Sequence, residues 1–92
     1  LRKEDLAAYQ PRWVQPVSTS FAGHEVWELP PNGQGMTALI ALNILEALPL
    51  AGAGEVERLH LEMEAMKLAF ADALHYIADP AFMRLAPEAL LS

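Results

Sequence analysis

Apolar side chains recur along residues 55–78 at alternating steps of three and four, through Val56, Leu59, Met63, Met66, Phe70, Ala73 and Ile77. That is the stripe of an amphipathic helix. The spacing predicts a helix over 55–78 that buries this stripe, with Met66 and Phe70 in the core. Residues 35–48 follow a different pattern. Met36, Leu39, Ile40, Leu42, Ile44, Leu45 and Leu48 spread around most of a helical circumference, and Glu46 is the only charge. A helix apolar on nearly every side is one that packs inside protein.

Upstream, residues 12–29 change to a β-branched and aromatic set, Trp13, Val14, Val17, Thr19, Phe21, Val26 and Trp27, broken by Ala22-Gly23. This predicts a β-hairpin. Period-two alternation puts Val17, Thr19 and Phe21 on one face of the first strand, and sends Glu25 and Glu28 to opposite faces of the second. Residues 3–9 contain good helix formers, with Leu6 and Tyr9 on one side, and Pro11 stops them. Pro30-Pro31-Asn32-Gly33-Gln34-Gly35 ends the hairpin, because prolines cannot continue a central strand and glycines permit positive backbone angles. Pro49 and Ala51-Gly52-Ala53-Gly54 link the two long helices, Pro80 closes the second, and Pro87 is placed to start a further short helix. The fold class is therefore α+β, a hairpin followed by two long helices. One core is the most that 92 residues allow.

Hydrophobic residues make up 53% of the chain and charged ones 20%. This apolar share favours a piece that packs against more protein. The start at Leu1, directly into Arg2-Lys3-Glu4-Asp5-Leu6, points the same way. A net charge of −6 with no basic run longer than Arg2-Lys3 argues against a nucleic-acid partner. The longest uncharged apolar run, Met36 to Leu45, is interrupted by Thr37 and Asn43 and falls short of the roughly 20 residues needed to span a bilayer, so no membrane partner is expected. The absence of cysteine removes disulfides, thiol catalysis and cysteine-ligated zinc.

Candidate chemistry is sparse. Gly33-Gln34-Gly35 ahead of a helix can present backbone N–H groups to an anion, but it lacks the lysine and hydroxyl residue of a phosphate loop and reads as a structural turn. Asp72, His75 and Asp79 carry metal-ligand side chains at i, i+3 and i+7, a spacing equally suited to a solvated helix end. His60 and Glu64 do not form the two-histidine pattern of zinc proteases, and His24 reads as a hairpin side chain. The hydroxyls of Ser18, Thr19, Ser20 and Thr37 have no base supplied by sequence pattern. Met36, Met63, Met66 and Met83 read as core fillers. No catalytic, cofactor-binding or metal residue is assigned.

The order Glu4-Asp5-Leu6-Ala7-Ala8-Tyr9, Pro16, Gly23, Pro30-Pro31 with Gly35, and Leu42-Asn43-Ile44-Leu45-Glu46 resembles the large-subunit region of γ-glutamyltranspeptidases. The likeness continues through His60, Glu64-Ala65-Met66-Lys67-Leu68-Ala69-Phe70-Ala71-Asp72, Asp79-Pro80 and Leu90-Leu91-Ser92. Two departures point to a divergent, acylase-like branch. Many relatives have Pro-Pro-Pro and a serine-rich turn where Asn32-Gly33-Gln34 stands here, and an arginine where Ala73 follows Asp72.

The resemblance implies the αββα sandwich of an N-terminal-nucleophile hydrolase. A self-cleaving precursor exposes a threonine that attacks a γ-glutamyl amide such as glutathione. It places that threonine after the matched region and the carboxylate-binding arginine before it. The implied partners are the remainder of the precursor and, for the whole enzyme, a small-molecule γ-glutamyl substrate. Transfer, hydrolysis and action on another acyl amide all stay open. The alternative is a free-standing interaction domain. Cut from a sandwich, the chain is also expected to self-associate through bared apolar faces.

Overall fold

The computed structural model describes all 92 residues, Leu1–Ser92. The elements are α1 (Lys3–Ala7), β1 (Val17–Phe21), β2 (His24–Glu28), α2 (Gly35–Glu46) and α3 (Glu55–Tyr76), with 3-10 turns at Leu50–Gly52, Pro80–Phe82 and Pro87–Leu91. The α+β reading holds. Each helix stops short of its expected end, α1 at Ala7 rather than 9, α2 at Glu46 rather than 48 and α3 at Tyr76 rather than 78. Pro11, Pro49 and Pro80 follow within a few residues, and the chain turns away from the helical path before reaching each of them. Pro87 does start a helical turn, but of 3-10 type.

The two strands pair antiparallel with Val17 opposite Glu28, Thr19 opposite Val26 and Phe21 opposite His24. Their connection is the two-residue turn Ala22-Gly23, with φ of 50° and 78°. Positive φ at both positions matches the right-handed twist of the strands. The expected hairpin over 12–29 is shorter than its composition suggests. Residues 12–16 are unpaired, and Trp13 is fully exposed. Pro11 and Pro16 bracket this stretch, and neither has an N–H to give to a ladder.

Helix α2 lies between the hairpin and α3, so the arrangement is three layers rather than two helices side by side on one sheet face. One stripe of α2 carries Met36 and Leu39, both 0% exposed, against Val17, with Val26 packed alongside. The adjoining stripe carries Ile40 and Ala41 against Ala69 of α3. Leu90 and Leu91, at the end of the chain, pack on both clusters.

The face that α3 buries corrects the expectation from periodicity. Ala65 and Ala69 are its buried residues, while Val56, Leu59, Met63, Met66 and Phe70 are exposed. Alanines let two helix backbones approach closely, so the seam forms on small side chains and the larger ones rotate outward. Met63 and Met66 are consequently not core fillers, whereas Met36 is.

Little of the chain is internal. Only ten of the 92 residues are buried, and the radius of gyration is 16.2 Å over extents of 55 × 23 × 22 Å. A compact chain of this length has a radius of gyration of about 12 Å. The molecule is drawn out along its helices, with apolar surface left bare.

Candidate functional site

On α2, Met36, Leu39, Asn43 and Glu46 continue one stripe at i, i+3, i+7 and i+10. The stripe starts apolar and ends polar, and each half meets a matching part of the hairpin. Asn43 accepts a hydrogen bond from the Thr19 hydroxyl at 3.2 Å and donates through Nδ2 to the Leu91 carbonyl at 2.7 Å. Glu46 accepts from the backbone N–H of Ala22 at 3.0 Å. One helix face thus holds the strand, the strained turn and the end of the chain together. Sequence reasoning missed this junction, although its signal was present as Asn43 and Glu46, polar residues in the second half of a mainly apolar helix.

Replacing Asn43 by alanine leaves a half-buried hydroxyl and carbonyl without their partner. We expect it to cost about 1–3 kcal/mol in urea melts. A change below about 0.5 kcal/mol, the level of an ordinary surface substitution, would show that the junction is not structural.

At the other end of α2, Glu28 lies over the first helical turn. A Cβ added at Gly35 would fall 2.7 Å from Glu28 Oε2 and 2.9 Å from Glu28 Cβ, so the approach requires glycine. The helix N-terminus, a position that favours negative charge, therefore already has a carboxylate beside it. The Gly33-Gln34-Gly35 segment acts as the turn that permits this approach, with Gln34 at the helix cap.

A groove of about 480 Å³ runs along α2 from this end, between Thr37, Ala38, Ala41, Leu42 and Leu45 and the outward Met66 and Phe70 of α3. Glu28 stands at its rim with Gln34 and Gly35. Thr37 is 4% exposed.

The remaining candidates are dispersed. Asp79 caps the Pro80–Phe82 turn by accepting from the Ala81 N–H at 2.9 Å. His75 meets Tyr76 edge-on with ring centroids 4.6 Å apart. No three histidine, aspartate or glutamate side chains gather in a set able to hold a metal ion. Glu64 pairs with Lys67 at 2.8 Å, not with His60. The hydrogen bond from Lys67, and then its charge, hold the Glu64 carboxyl below its ordinary range. This pairing therefore acts above the unfolded carboxylate range and is lost as the pH falls. Arg58 and Glu62 form a second surface pair at 3.6 Å. His24 is exposed beside the turn, and Glu25 is exposed on the face opposite Glu28. No side-chain hydrogen bond joins a hydroxyl to a histidine or a carboxylate. No helix is long and apolar enough to cross a membrane.

Among solved structures, the whole chain matches the cephalosporin acylase from Bacillus halodurans at a TM-score of 0.90 and 49% identity, covering 100% of this chain and 17% of that one. Over this segment the chain therefore has the fold of that acylase. Residues 1–92 also match the Gamma-glutamyltranspeptidase family, and the chain belongs to that family. It is 39% identical over 90 residues to the glutathione hydrolase-like YwrD proenzyme of Bacillus subtilis (strain 168), covering 96% of this chain and 17% of the relative. It is 36% identical over 93 residues to the glutathione hydrolase proenzyme of Escherichia coli (strain K12), covering 98% of this chain and 16% of the relative. The chain thus spans about a sixth of the length of these relatives. The likeness to an acylase agrees with the branch indicated by Asn32-Gly33-Gln34 and Ala73.

Proposed function

We propose that residues 1–92 form one non-catalytic scaffold unit in the large subunit of an enzyme that hydrolyses or transfers γ-glutamyl or related acyl amides, with its nucleophilic threonine outside this chain. The observation that carries the reading is the family match over residues 1–92 to a segment with no hydroxyl placed beside a base. In the chemistry proposed, a threonine hydroxyl freed at a new N-terminus attacks the amide carbonyl, its proton passing to the adjacent α-amino group. The amine leaves with a proton, and the acyl ester is then released to water or to a second amine. Thr19 and Thr37 are internal, so neither has the free amine this step needs. The hairpin, α2 and α3 serve as packing layers for the elements that carry it.

The full-length protein is expected to release p-nitroaniline from a γ-glutamyl anilide, and the 92-residue chain is expected to release none above a buffer blank. Turnover by the chain alone would overturn the proposal. The isolated chain is further expected to self-associate, because its outward apolar residues have no cover. Sedimentation at several concentrations reads this directly, and a strict monomer at high concentration would contradict it.

A further inference from the structure

The outward stripe of α3 runs from Val56 to Phe70, all five of its large side chains exposed, and it leads into the groove beside α2. At 1.5 Å per residue the stripe is about 21 Å long. That is longer than a small ligand and suited to a helix or strand lying along it. Its floor is apolar, but one end is not. Glu28 and the buried Thr37 stand there, and Glu28 takes part in neither of the chain's ion pairs. Lys67 and Arg58, the basic residues of α3, are already paired with Glu64 and Glu62.

We propose that this groove is the docking site of a segment of the same polypeptide from outside these 92 residues, one that lays apolar side chains along α2 and α3 and brings a lysine or arginine to Glu28. Two observations choose this occupant. The matched relatives are about six times as long as the chain, so most of such a polypeptide lies elsewhere. The carboxylate at the groove's end is without a cation in a chain of net charge −6. A second copy of the chain would bring further negative charge to the same place. The inference rests on the reading of the chain as one part of a longer precursor, but not on which amide that enzyme cleaves.

The test uses the full-length protein carrying Leu42→Cys or, should that variant fold poorly, Ala38→Cys. Maleimide labelling is read by peptide mass spectrometry in the native and the urea-unfolded protein. Native labelling is expected to be slower by at least about tenfold, as for a site reached only by local opening. Adding Glu28→Gln is expected to speed native labelling about fivefold, because the docked segment loses a charge-assisted contact. Labelling as fast in the native protein as in the unfolded one overturns the proposal. Protection that appears only as protein concentration rises also overturns it, assigning the groove to a second copy. A rate unaffected by Glu28→Gln overturns the charged contact. Anilide hydrolysis is measured on the same samples, so a protected groove in an inactive protein would overturn the amidase reading and leave this one standing.

Discussion

Truncation of Leu39 to alanine is expected to remove about 2–5 kcal/mol from the stability of the 92-residue chain, close to all that a domain of this size has. Leu39 is 0% exposed and packs with Met36 and Val17 where α2 meets the hairpin. That cluster is the chain's main attachment of sheet to helix, so there is little neighbouring mass to relax into the cavity. Urea melts followed by circular dichroism should show the midpoint falling with little change in slope. Leu68, which is 56% exposed, provides the comparison, and Leu68→Ala should be nearly silent. Equal losses from the two truncations would mean that the core lies elsewhere.

The second large effect is expected at Ala69. It is 0% exposed and faces Ile40 and Ala41 across the helix seam. Ala69→Asp buries a carboxylate with no partner and also forces the helices apart, together costing several kcal/mol. Phe70→Asp in the isolated chain should cost clearly less, because Phe70 is 41% exposed, and Ala71→Asp on the solvent side should be near neutral. The melts should therefore rank Ala69, then Phe70, then Ala71. The reverse order for the first two would restore the large-residue stripe as the packing face.

This ranking shows where residue pattern and packing part company. The 3.6-residue period marked α3 as a helix correctly, and any stripe of large apolar residues gives the same signal whether it meets its own chain or another part of the protein. Exposure of Val56, Leu59, Met63, Met66 and Phe70 is what the drawn-out shape leaves over. Trp13 and Val14 misled in the same way. Their β-forming side chains suggested a strand, but Pro11 and Pro16 leave the backbone without the donors a ladder needs. Asn43 and Glu46 stand in a mainly apolar helix, yet their partners Thr19, Leu91 and Ala22 are 24 to 48 residues away.

Residue order by itself determined the elements, their proline and glycine boundaries, the hairpin turn at Ala22-Gly23, and the family. Each of these depends on neighbours within a few positions, or on a long ordered set of residues, and both are written along the chain. Tertiary structure alone decided that α2 sits between hairpin and α3, that alanines form the seam, that Gly35 makes room for Glu28, and that a groove remains between Leu42 and Phe70. Those outcomes turn on which of several apolar faces can approach most closely in three dimensions. Side-chain volume settles that, and a hydrophobic period does not record it.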